Sequence, residues 1–173
     1  TVVPLPGANA VLPALQLSGL PSDRFLFNGF LPTKKSARIT ELEQLKNIPS
    51  TLIFYESPHR VPETLSDMLS VFGNRSAAVV RELTKKFEQS VRGTLSQLID
   101  FYDKNGEPKG EIVILIDRPS EQSLRNEFDV CALLKQAFTK NASLRDAVDD
   151  VTKQTGLDRR KIYKQALELK NEE

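Results

Sequence analysis

Four short clusters in this 173-residue chain bring carboxylates, cations and glycines together in ways that suit chemistry. The first is Arg81-Glu82-Leu83-Thr84-Lys85, with Glu88 close behind. So many charges are costly to bury unless they are paired. A lysine in such company holds a phosphate, or accepts a proton if its pKa is depressed. The second, Tyr55-Glu56-Ser57-Pro58-His59-Arg60, packs a phenol, a carboxylate, an imidazole and a guanidinium into six residues. Glu56 has the chemistry to orient a ribose hydroxyl or a cofactor, and Arg60 to hold phosphate. The third, Lys109-Gly110-Glu111, sets a glycine between opposite charges, as at a close backbone approach. In the fourth, Pro4-Leu5-Pro6-Gly7-Ala8-Asn9-Ala10, a loop runs into a helix start whose free N–H groups suit a carboxylate or another polar ligand atom. Each cluster also has a plain structural use: a strand-to-helix turn, a capped helix start with an internal Glu56–Arg60 pair, or a surface ion-pair network.

Two further groups are basic. Lys34, Lys35 and Arg38 follow Gly29-Phe30-Leu31-Pro32, and Arg159, Arg160, Lys161 and Lys164 crowd into six residues near the end. Either suits a phosphate backbone, and either also suits a solvated helix face. His59 and Cys131 are the only histidine and cysteine and lie far apart, so they supply neither a zinc set nor an internal disulfide. A single cysteine fits a reducing compartment.

The elements that must position these groups follow from periodicity and punctuation. Val2-Val3 reads as the end of a strand, broken by the Pro4 to Gly7 turn. Ala8 to Ser18 reads as a helix closed by Gly19. Phe25 to Leu31 reads as extended. Ile39, Leu42, Leu45 and Ile48 give the segment from Ser36 to Ile48 one apolar helical face. Thr51 to Tyr55, Ala77 to Val80, Glu88 to Arg92 and Glu111 to Ile116 read as strands. The helix Val61 to Phe72 and a helix capped by Thr94 lie between them. This alternation predicts an α/β layer, with room for a mixed sheet. The polar stretch from Pro119 to about Glu127 reads as a linker. Beyond it come three helices: Asp129 to Phe138, Leu144 to Lys153 with Ser143 as N-cap, and Arg159 to Leu169. Helix, Gly156 turn and basic helix together resemble a helix-turn-helix.

The bulk numbers bound the reading. Hydrophobic residues are 39% and charged residues 27%, ordinary for a globular chain. A net charge of +1 means that any RNA affinity must come from local patches. No apolar run is long enough to cross a bilayer. The chain opens on Thr1 with no initiator Met, which reads as a fragment cut in mid-fold or a processed product.

Taken in order, the motifs form a specific series. Pro4-Leu5-Pro6-Gly7, Ser18-Gly19-Leu20-Pro21-Ser22-Asp23-Arg24-Phe25 and Gly29-Phe30-Leu31-Pro32 come first. Thr51-Leu52-Ile53-Phe54-Tyr55-Glu56-Ser57, His59-Arg60, Arg81-Glu82-Leu83-Thr84-Lys85 and Lys109-Gly110-Glu111 follow. The series resembles the small-subunit ribosomal RNA methyltransferase I family of the tetrapyrrole methylase superfamily, over nearly the whole chain.

That resemblance implies the C-terminal α/β domain of the tetrapyrrole methylase fold over residues 1–119. A linker at 120–127 and a small helical, helix-turn-helix-like, RNA-associated domain at 128–173 would follow. It implies S-adenosyl-L-methionine as methyl donor and 2′-O-methylation of a cytidine ribose in the decoding region of 16S rRNA, within the small ribosomal subunit. It implies a cytoplasmic enzyme, homodimeric at full length, with no metal and no membrane. By position, the resemblance assigns Asn9, Ala10, Glu56, Leu83, Gly110 and Glu111 to the cofactor. For the proton that methyl transfer must remove, the carboxylates Glu56, Glu82 and Glu111 and the amine of Lys85 are the candidate catalytic groups, with Lys85 and Glu82 favoured. Lys34, Lys35, Arg38, Arg60, Arg81, Arg159, Arg160, Lys161 and Lys164 are the expected RNA contacts. The N-terminal half of the catalytic fold would be missing, so the chain alone is expected to bind cofactor weakly and to be inactive. The rival readings are a non-catalytic RNA-binding module and a methylase acting on a tetrapyrrole.

Overall fold

The stretch Ile112–Ile116 is apolar and buried at every position, so it needs cover on both faces. It becomes the middle strand, β5, of a five-stranded sheet. The structure is a computed structural model that describes residues 2–3, 7–120, 129–139 and 143–171. The other strands are β1 (Phe25–Phe30), β2 (Thr51–Glu56), β3 (Ser76–Arg81) and β4 (Gln89–Thr94). They lie in the order β1-β2-β5-β3-β4. β1 and β2 are parallel, as a helical crossover between them allows, and the other three pairings are antiparallel.

Helices α1 (Val11–Ser18), α2 (Lys35–Leu45), α3 (Val61–Phe72) and α4 (Leu95–Asn105) complete this unit. Val11, Ala14 and Leu15 of α1 pack on Ile53, Ala78, Val80, Val113 and Leu115. The alternate strand positions, among them Leu52, Phe54, Ile114 and Ile116, point the other way and are equally buried. α2, α3 and α4, packed side by side, form the layer on that side. Burying each such aliphatic side chain contributes about 1.5–3 kcal/mol.

The chain divides into two units. One comprises Thr1–Lys46 and Ser50–Arg118, the other Asn47–Pro49 and Pro119–Glu173. The described part of the second unit holds α5 (Val130–Thr139), α6 (Leu144–Thr155) and α7 (Arg159–Asn171). Their common core is Val130, Leu134, Ala147, Val148, Val151, Leu157, Ile162 and Ala166. Ser143 caps α6 by accepting from the Asp146 N–H, and Gly156 closes the helix in the left-handed region at φ +67°. Among the described residues no helix is long and apolar enough to cross a membrane.

Three expectations need correction. Val2 and Val3 are exposed and belong to no strand. α1 starts at Val11 rather than Ala8, because Asn9 Oδ1 accepts from the N–H groups of Val11 and Leu12 and so ends the loop there. Arg38 is not on a basic surface. It is fully buried, with Nε and Nη2 at 2.7 and 2.6 Å from Asp67 Oδ2 and Nη2 at 2.6 Å from Glu63. Its Nη1 donates to the carbonyls of Pro32 and Thr33. A guanidinium spent on internal acceptors has nothing to offer an RNA phosphate. The predicted linker falls almost wholly on residues 121–128, outside the described residues.

Candidate functional site

The strand registers bring separate clusters to one edge of the sheet. Glu56 and Arg81 both pair with Ile112, and Arg81 also pairs with Gln89. The ends of β2 and β3 therefore meet the starts of β4 and β5, where strand termini leave side chains and backbone free for ligands. Glu82, Lys85, Gly110 and Glu111 converge here. Lys85 Nζ lies 3.2 Å from Glu82 Oε1 and 3.0 Å from Glu111 Oε2. The Glu111 N–H donates to Glu82 Oε1 at 3.1 Å, and the Glu82 N–H donates to the Glu111 carbonyl at 3.1 Å. Gly110 makes this possible, because a Cβ there would overlap the Glu82 carboxylate.

The electrostatics reverse one expectation. The Glu111 carboxylate, and then that of Glu82, holds the Lys85 ammonium above the ordinary lysine range. The Glu111 backbone N–H, with Lys85 next, holds Glu82 below the ordinary carboxylate range. Lys85 is a fixed cation at neutral pH, the opposite of the depressed amine that proton abstraction needs. Glu111 is the exposed member, its side chain 84% accessible. The hairpin loop stores strain beside it. Glu82 and Thr84 are non-glycine residues at φ +51° and +63°. Such outliers persist where surrounding bonds over-determine them. Here those bonds are Lys85 N–H to the Glu82 carbonyl, Glu88 N–H to the Lys85 carbonyl, and Thr84 N–H to Glu88 Oε2.

Glu56 reaches the same edge but turns inward and is 3% exposed. One oxygen accepts from the Ser57 N–H and sits 3.3 Å from Arg60 Nε; the other accepts from the Thr64 hydroxyl. Arg60 Nη2 donates to the carbonyls of Leu31 and Pro32. This is the internal Glu56–Arg60 pair that the sequence also allowed, so neither the catalytic role for Glu56 nor the phosphate role for Arg60 fits. Asn9 caps α1 with its side-chain oxygen, while Ala10, Leu83 and Tyr55 border the apolar cluster beneath α1.

Residues 1–99 match the family described as Tetrapyrrole (Corrin/Porphyrin) Methylases. The chain belongs to this family. Residues 127–170 match the RsmI C-terminal HTH domain. A Mesorhizobium japonicum protein named Ribosomal RNA small subunit methyltransferase I is 46% identical over 98% of this chain and 58% of its own length. A Bacillus subtilis protein of the same name is 38% identical over 94% of this chain and 57% of its own length. The chain thus spans about three fifths of the curated relatives it matches. Among solved structures, the methyltransferase CobJ is similar in fold, with a TM-score of 0.51 at 17% identity, covering 65% of this chain and 49% of that one.

Arg81 is half-buried, its Nε donating to Gln89 Oε1 and Nη1 to the Lys109 carbonyl, so it braces the loop. Lys34 and Lys35 are exposed at the start of α2, and Lys35 lies 3.6 Å from Asp67. Arg160, Lys161 and Lys164 are exposed on α7, where Arg159 pairs with Asp149. The partners Thr64, Asp67 and Gln89 were not legible in advance, because they are distant in sequence from the groups they hold. Phe87 had a visible signal, an aromatic ring inside a wholly polar run, and it is 65% exposed at the hairpin.

Proposed function

We propose that this chain serves S-adenosylmethionine-dependent methylation of a cytidine ribose 2′-oxygen in the decoding region of 16S rRNA, within the small ribosomal subunit. In this reading residues 1–119 are the α/β catalytic part, 120–127 the linker and 128–173 the RNA-associated part of a cytoplasmic homodimer. The observation that carries it is the Glu82–Lys85–Glu111 cluster, held on strained backbone at one sheet edge. The name shared by the relatives supplies the substrate class.

The residues present fit one wall of a site for the cofactor. Ala10 and Leu83 are half-buried apolar groups bordering one cluster, a surface suited to an adenine. The neighbouring carboxylates of Glu82 and Glu111 suit hydroxyls and positive charge. When bound, S-adenosylmethionine supplies a methyl group carried on a sulfonium centre. The chain's own work is alignment and proton handling. Lys85, fixed as a cation, orients Glu111. Glu111, with one oxygen held by Lys85 and an exposed side chain, accepts the ribose hydroxyl hydrogen. Glu82 positions both through its bonds to the Glu111 N–H and Lys85.

The test compares this chain, and a chimaera joining it to the unmatched part of the Mesorhizobium japonicum relative, on unmodified small subunits with labelled methyl donor. Incorporation into one cytidine as a 2′-O-methyl group by the chimaera is expected. Methylation of a tetrapyrrole with none of RNA would replace the reading.

A further inference from the structure

We propose that Phe87 is a stacking platform for a nucleobase of single-stranded RNA beside the candidate site; this deepens the RNA-methylation reading and rests on it for the substrate class. A lone exposed phenylalanine needs no explanation, but three features set Phe87 apart. It stands on the hairpin loop that carries Glu82 and Lys85, at 65% exposure. Its loop is closed across this residue by Glu88, whose N–H donates to the Lys85 carbonyl and whose Oε2 accepts from the Thr84 N–H. A ring on an already ordered loop loses little freedom on binding. It has an ammonium neighbour, Lys86 Nζ, 5.7 Å from the ring centroid, within cation–π range.

An aromatic ring beside cations meets both parts of a nucleotide, the base by stacking and the phosphate by charge. Of the other exposed aromatics of this unit, Phe27 and Phe30 pack on the Tyr55 ring at 4.7 and 5.6 Å, and Phe25, 42% exposed, belongs to strand β1 rather than to the hairpin loop. Among the described residues Phe87 touches no other aromatic ring. Phe87 shares the hairpin loop with Lys85, two residues away, so a base stacked on it holds the RNA substrate beside the site and acts on KM.

Two experiments decide it. The chain contains no tryptophan, so Phe87→Trp creates a single reporter. Adding a single-stranded oligocytidylate to this variant should quench its emission saturably, whereas inorganic polyphosphate, which carries charge without bases, should not. In the chimaera, Phe87→Ala should raise KM for small subunits about tenfold, leaving kcat within about twofold and cofactor affinity unchanged. Phe87→Tyr should restore KM and Phe87→Leu should not. Equal quenching by polyphosphate, no quenching by oligocytidylate, an unchanged KM in Phe87→Ala, or full rescue by leucine each overturns the proposal. If the unsubstituted chimaera transfers no methyl group to RNA, the functional reading fails by itself, and the quenching experiment still decides Phe87.

Discussion

Glu82 and Glu111 hold each other through two reciprocal bonds, from each N–H to the other's backbone or side-chain oxygen. The pair joins the end of β3 to the approach to β5, and Lys85 closes it by bridging both carboxylates.

Gly110→Ala should break this arrangement. Gly110 has φ +92°, and its missing Cβ leaves the space that the Glu82 carboxylate fills. Gly106 is the control, with φ +78° and open space around it. Both alanine variants should lose about 1 kcal/mol or more of stability to backbone strain. Only Gly110→Ala should also cut methyl transfer by the chimaera, by more than about tenfold. Equal activity in the two variants would remove Glu82 from the site.

The charges of the cluster should span the whole working pH range. Glu82 titrates below its ordinary 4.5 and Lys85 above its ordinary 10.5. A depressed carboxylate contributes stability that is lost as pH falls through its lowered value. A raised lysine contributes stability that is lost as pH rises through its raised value. The link is therefore complete between the two, and a pH–rate profile should show no step from Lys85 between about pH 6 and 9. Carbon-13 NMR should find the Glu82 midpoint below 4.5, moving up in Lys85→Ala.

Arg38→Ala should destabilise the chain strongly without touching RNA affinity. Arg38 is fully buried against Asp67, which is itself 4% exposed. Removing Arg38 leaves the buried Asp67 carboxylate with only the exposed Lys35 ammonium, 3.6 Å away, and breaking such a pair costs about 3–5 kcal/mol, a large part of a typical domain's stability. Urea unfolding of the single variant and of Arg38→Met with Asp67→Leu measures it. The double variant should recover most of the loss.

Burial pushes the Tyr102 hydroxyl up to about 12, against an ordinary 10.0. The hydroxyl is buried and has no hydrogen-bond partner among the described residues. A raised pKa means stability that is intact below the ordinary value and lost as pH rises from 10.0 towards about 12. Ultraviolet titration should show one of the three tyrosines ionising late. Tyr102→Phe should abolish that late step and match or exceed the parent's stability at neutral pH, by up to about 1 kcal/mol. An unchanged titration curve would contradict the assignment.

Much of the architecture could be read from local pattern. The all-apolar run Ile112 to Ile116 is a buried strand, and the Thr94 capping box and Gly156 turn end helices where their residue types require. These features depend on neighbours a few residues away, and the sequence carries that information directly. The polar clusters behaved differently. Glu56-Ser57-Pro58-His59-Arg60 and Glu82-Leu83-Thr84-Lys85 look equally suited to chemistry on paper. One folds inward onto Thr64 and the carbonyls of Leu31 and Pro32; the other faces outward onto Glu111. Nothing in either cluster distinguishes them, because the partner that decides each lies up to 29 residues away.

By itself, the sequence determined the α/β order, the helical tail, the family and the short list of polar groups. Only the tertiary structure decided which of those groups face solvent and which are consumed as internal partners. It hid Arg38 and Glu56, fixed Lys85 as a cation and left Glu111 open. The physical reason is that a side chain's charge state and availability are set by burial and by acceptors contributed from other strands and helices, and register and packing choose those acceptors after the local elements have formed.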